Sequence, residues 1–188
     1  MFIQTEATPN PATVKFLPGQ SVLDRGTAEF KTTGEASEAP LVQRLFGLQG
    51  VEGVFLGADF ISVSKDEDTD WSVLKPMVLG ALMEHFSTGQ PVVLEAYYQG
   101  KGLSEDKGKD DEISAQIREL IETRVRPMVA MDGGDIVFDR FEDGVVFLHM
   151  RGACSGCPSS TATLKMGIEN MLKHFVPEVV EVRPAENF

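Results

Sequence analysis

Cysteine is nearly absent from this chain: two residues in 188, too few for a disulfide scaffold and too few for a closed four-thiolate metal site within one chain. Tryptophan occurs once and tyrosine twice. No apolar run approaches the roughly 18 residues of a membrane-spanning helix, so no integral membrane protein is expected. Basic residues are also short, 17 against 29 acidic ones for a net charge of -12. That excess is shared by both halves and argues against nucleic acid or anionic lipid as partners. Met1-Phe2-Ile3-Gln4-Thr5 lacks the basic and apolar regions of a targeting segment, which leads to the expectation of a cytoplasmic location. No Ser/His/Asp order, phosphate-cradling glycine loop or paired-carboxylate site stands out, so no enzyme is expected.

The two cysteines that are present fall together, in Gly152-Ala153-Cys154-Ser155-Gly156-Cys157-Pro158-Ser159-Ser160. A Cys-x-x-Cys spacing points two sulfurs into one small volume, and flanking glycines let backbone amides approach whatever they hold. Spacing alone leaves metal binding and thiol–disulfide exchange both open.

The remaining chain reads as two small α/β (α+β) domains, 1–100 and 112–188, joined by a flexible, charged linker at 101–111. In the first, strands are predicted at Phe2–Thr5, Val14–Leu17, Ala28–Thr32 and Pro91–Ala96, with a hairpin over Val51–Leu56 and Phe60–Val63. A short helix follows Leu41, and a longer one starts at Thr69 or Asp70 with Pro76 in its early turns. In the second, Ile113, Ile117, Leu120, Ile121 and Val125 mark a helix that Pro127 ends or kinks. Strands at Ile136–Phe141 and Val145–Met150 are joined through Asp143-Gly144, a hairpin signal. A helix from Ser159 or Ser160 and a strand at Val179–Val182 complete the order α-β-β-α-β, a three-stranded sheet with two helices.

Cys154 is thus expected in a strand-to-helix loop, with Cys157 just before the helix, where free amides and the positive end of the helix dipole favour thiolates. One chain supplies two thiolates where a structural zinc site or an all-cysteine cluster takes four. Either other ligands complete the site or two chains face each other. His85, His149 and His174 are expected at core edges or on the surface rather than as ligands. Asp132 and Asp135 are expected to act as turn and cap residues around Gly133-Gly134, which would let another backbone pack close to the cysteine loop. Met128, Met131, Met150, Met166 and Met171 are expected as core filler. Trp71, Tyr97 and Tyr98 suit either the core or a docking patch.

Met131-Asp132-Gly133-Gly134-Asp135, the cysteine segment, and Thr163-Leu164-Lys165 with Gly167-Ile168-Glu169 strongly resemble the C-terminal domain of the Nfu/NifU iron–sulfur cluster proteins. Phe2-Ile3-Gln4-Thr5-Glu6-Ala7-Thr8-Pro9-Asn10-Pro11 looks like the start of the N-terminal domain of the Nfu subgroup. The resemblance implies a scaffold or carrier that binds a labile [4Fe-4S] cluster between two protomers, with a [2Fe-2S] form admitted only as a transient. Cys154 and Cys157 match the family's cluster-ligating pair. It further implies a homodimer on cluster binding, upstream cluster-assembly proteins as donors and apo iron–sulfur proteins as recipients. The competing readings of the same cysteines are a thiol–disulfide oxidoreductase and a zinc-binding structural module.

Overall fold

Apolar strands alternating with two amphipathic helical patterns fold the first half into a sheet with helices packed against it. The computed structural model describes residues 2–100, 112–155 and 158–185, giving only the backbone course for 100 and 158–161. It divides into two compact units, Met1–Glu105 and Asp106–Phe188. The linker expected over 101–111 lies outside the described residues.

In the first unit, strands β1 (Gln4–Ala7), β2 (Thr13–Leu17), β3 (Ala28–Phe30), β4 (Val51–Leu56) and β5 (Ile61–Lys65) form one antiparallel sheet in the order β1-β2-β5-β4-β3. Helix α1 (Pro40–Phe46) and helix α2 (Trp71–Thr88) bury Leu41, Val42, Leu45, Leu74, Val78 and Leu82. Asp70 caps α2, its carboxylate accepting from the Ser72 amide at 2.7 Å. Pro76 sits in the second turn of α2, among its early turns as expected. It lies on the solvent side, so water can serve the carbonyl it leaves without a donor.

The strand expected at Pro91–Ala96 does not form. Val92 and Val93 are buried in a coil, and a short helix α3 (Glu95–Gly100) follows. Pro91 offers no amide to a ladder, and the helical turn places Tyr97 in the core, its ring 5.7 Å from that of Phe30. Tyr97 and Trp71 are therefore core and core-edge residues; the Trp71 indole donates to the Pro11 carbonyl at 3.0 Å.

His85 is wholly buried in this unit, not at its edge, and among the described residues its ring nitrogens have only the backbone of Gln90 and Pro91 near them, in poor hydrogen-bond geometry. Burial, and then the Arg44 guanidinium, hold its pKa below the ordinary 6.5. As pH falls below 6.5, the unfolded chain takes a proton that the folded chain refuses, so stability declines until the lowered native pKa is reached. Trp71 is the only tryptophan, so its fluorescence follows the first unit alone. Melting followed this way is expected to drop between pH 7 and 5.5, and His85→Leu to flatten that slope; an unchanged slope would clear His85 of the effect.

In the second unit, α4 (Glu112–Leu120), a wide π-type turn (Ile121–Val125) and α5 (Arg126–Met131) run on as one helix through Pro127. Pro127 does not end the helix; the irregularity expected of it takes the form of the wide turn immediately before it. The core positions Ile117, Ile121, Val125 and Val129 recur every four residues, a spacing that overshoots an α-helical face by about 40° per step. In the wide turn the Arg126 amide reaches back to Ile121 O, five residues away. The extra residue rewinds the helix and keeps all four on one side.

Strands β6 (Gly134–Glu142) and β7 (Val145–Gly152) form a hairpin closed by Asp143 and Gly144. Both have positive φ, 50° and 81°, as a two-residue type I′ turn requires. Helix α6 (Pro158–Phe175) returns the chain so that β8 (Glu181–Pro184) pairs parallel to β7. The sheet order is β6-β7-β8. The element order is the α-β-β-α-β predicted from sequence.

Candidate functional site around Cys154

Both hairpin strands extend two residues further than the sequence suggests at the open end, so that Gly134 pairs with Gly152 and Asp135 with Arg151. The cysteine segment leaves from this closing pair. Gly152 turns the chain with φ 61°, the Ser155 amide donates back to Gly152 O at 3.0 Å, and the Ala153 amide donates to Gly133 O at 3.2 Å. Cys154 is thereby folded inward, 6% exposed, among Ile136, Leu148 and Ile168 of the core.

Gly134 makes that position possible. A Cβ there would meet the Cys154 sulfur and would lie 2.9 Å from both Arg151 O and Cys154 N. The doubled glycine does what its sequence suggested, letting one backbone pass directly beneath the thiol.

Asp135 does more than cap a turn. Its carboxylate is buried and accepts two parallel bonds from Arg126, from Nε and Nη2, each 2.9 Å, as well as the Ile136 amide at 2.9 Å. The pairing raises the Arg126 pKa, chiefly through that hydrogen bond to Asp135. The clamp ties the helix beyond the wide turn to the first residues of β6, next to Gly134. Arg126 is a site-building residue that sequence reasoning missed. Nine positions separate it from its partner, and only the wide turn sets its direction. Asp132 closes the helix end, its amide donating to Val129 O at 3.1 Å.

Cys157 lies outside the described residues. His149 is not drawn towards Cys154: a bulge in β6 between Phe138 and Arg140 brings Asp139 to its ring, Nε2 to Oδ1 at 3.0 Å. His174 is exposed at the far end of α6. Among the described residues no group of three or more His, Cys, Asp or Glu side chains could hold a metal ion. Of the five methionines expected as core filler, Met150 and Met171 pack against the core, whereas Met128, Met131 and Met166 are exposed.

Comparison with known proteins accounts for both units. Residues 3–89 match the family described as scaffold protein Nfu/NifU N terminal, and residues 117–183 match the NifU-like domain. The human protein named NFU1 iron-sulfur cluster scaffold homolog, mitochondrial, is 48% identical over 180 residues, covering 95% of this chain and 70% of its own. NifU-like protein 4, mitochondrial, of Arabidopsis thaliana is 48% identical over 184 residues, covering 95% of this chain and 64% of its own. A NifU-like protein from Saccharomyces cerevisiae, solved by NMR, is 27% identical with a TM-score of 0.46, covering 50% of this chain and 86% of its own. The chain belongs to the Nfu/NifU family of scaffold proteins. The curated relatives are named mitochondrial, which overturns the expectation of a cytoplasmic location. That expectation rested on the composition of the first residues, and the relatives it would have to describe are longer chains.

Proposed function

We propose that this chain is a non-enzymatic iron–sulfur cluster scaffold and carrier, holding one [4Fe-4S] cluster between two protomers through Cys154 and Cys157 of each. The observation that carries the reading is the seat of Cys154. It is the first thiol of a Cys-x-x-Cys pair, lies between the Gly134–Gly152 closing pair and the start of α6, and belongs to a chain whose relatives are named cluster scaffolds. Helix amides at the start of α6 and the backbone around the glycines favour negative charge on sulfur. Two thiolates per chain make four per pair, the number an all-cysteine cluster takes. Transfer then proceeds by ligand exchange: a thiolate of an apo-protein bonds to iron as one scaffold thiolate leaves. The oxidation state of the cluster is unchanged, and a proton moves from the incoming thiol to the departing sulfur. Upstream assembly proteins supply the cluster in the same manner.

Anaerobic reconstitution with iron and sulfide tests this. One cluster per two chains, with mass doubling on loading, is the expected result, and Cys154→Ala or Cys157→Ala should each abolish stable uptake. Uptake that survives either substitution would remove the ligand assignment. A monomer that takes no cluster but cycles an intrachain disulfide with reductase turnover would make the chain an oxidoreductase. Stoichiometric zinc in place of iron would make it a structural module.

A further inference from the structure

Helix α2 is apolar on its outside as well as its inside. Its inner face enters the core through Leu74, Val78, Ala81 and Leu82, and that accounts for the helix. Yet outside that face Val73, Met77 and Met83 are exposed by 61%, 43% and 46%, with Gly80 between them and the Arg44-paired Glu84 closing the same side. A solvent-facing helix surface ordinarily carries charge, and a contiguous apolar one marks a contact.

Gly80 sharpens the case. Glycine in a helix interior costs about 1 kcal/mol relative to alanine, and a Cβ there would meet nothing within 4 Å. No contact within the described residues demands the missing side chain. Its effect is a notch flanked by Met77 one turn before and Met83 one turn after, the relief into which a ridge of another helix fits.

Charge narrows the occupant. The entry to α2 is rimmed by Glu67, Asp68 and Asp70, all exposed. At the other end, Glu84 is occupied by Arg44 at 2.8 Å. A second copy laid antiparallel would bring each acidic entry to the other's Arg44–Glu84 pair, which offers it no net positive charge, between chains of net charge -12.

We propose that the Val73–Met77–Gly80–Met83 face of α2 docks an amphipathic helix of a partner protein, its apolar stripe on the methionines and its Lys/Arg-bearing end on Glu67, Asp68 and Asp70. Methionine side chains adapt to stripes of differing shape, which suits a surface meeting several partners. The proposal rests on the carrier reading only in taking those partners to be cluster recipients.

The test uses the full-length chain carrying Cys154→Ser, which needs no cluster, so docking and cluster binding can fail separately. The probe is a labelled 18-residue helical peptide with leucines at i, i+3, i+4 and i+7 and three lysines at one end. Saturable binding by fluorescence anisotropy is expected, with amide shift changes confined to residues 67–84. Met77→Lys with Met83→Lys should weaken it at least tenfold, and Glu67→Lys with Asp68→Lys about threefold to tenfold, all with unchanged melting of the first unit. Equal affinity for these variants, or for a peptide bearing glutamates in place of the lysines, overturns the proposal. A concentration-dependent mass abolished by Met77→Lys assigns the face to a second copy instead. Shift changes in the second unit caused by Met77→Lys alone assign it to this chain's own second unit.

Discussion

Arg126→Ala is expected to destabilise the second unit by about 3 kcal/mol and to lower cluster uptake, although the residue bears no sulfur and touches no ligand. The substitution removes both guanidinium bonds from the Asp135 carboxylate, which is 3% exposed and also accepts from the Ile136 amide. Removing one partner of a buried ion pair costs about 3–5 kcal/mol because the survivor stays charged and dry. The lower end applies, since the Arg126 side chain is 31% exposed and water can enter where it stood. Arg126→Lys should fall between, restoring charge without the two parallel bonds. Far-UV circular dichroism reports both units and Trp71 fluorescence only the first. The dichroic transition should therefore shift while the fluorescence transition stays. A shift of less than about 0.5 kcal/mol, the range of an ordinary surface substitution, would mean that the clamp holds nothing.

Gly134→Ala is expected to be worse for the site than for the fold. Gly134 does not have positive φ, so the added methyl costs through space alone. Two of the atoms it meets are backbone, Arg151 O and Cys154 N at 2.9 Å, and neither can swing aside as a side-chain end could. Overpacking of this kind costs about 1–3 kcal/mol. The relief available is for the Cys154 segment to move off β6, carrying the sulfur with it. Reconstituted Gly134→Ala should thus hold much less cluster than the wild-type chain, at temperatures where circular dichroism shows it folded and with both thiols titratable by Ellman's reagent. Full cluster occupancy in the folded variant would show that the close approach is incidental.

Much of the second unit was legible because its signals are local. Asp143-Gly144 announced the hairpin, and the serines at 159 and 160 announced the start of α6. The doubled glycine beside the cysteine segment also read correctly, since only close approach or unusual dihedrals call for two glycines in succession. What escaped depended on contacts between distant positions. The Arg126–Asp135 clamp is set by a helical rewinding that no single residue encodes, and Pro127, read as a stop or a kink, is tolerated beyond that rewound turn. Pro91–Ala96 looked like a strand from its valines, but tertiary demand for Tyr97 against Phe30 outweighed local preference. Asp139 reaches His149 through a bulge that period-two reasoning does not foresee. The cytoplasmic expectation erred for a different cause, because an N-terminal composition says nothing about the longer relatives named mitochondrial.

The inward seat of Cys154 bears on timing as well as geometry. If Cys154 is the cluster ligand proposed above, a thiol only 6% exposed must be uncovered before it bonds to iron, and local opening would set the pace of that step. When closure is slower than capture, the loading rate levels off as iron and sulfide rise, at a ceiling that belongs to the protein. On that proposal the pace of exchange would belong to the backbone around the Gly134–Gly152 pair, and the same burial would shelter the unloaded sulfur from oxygen.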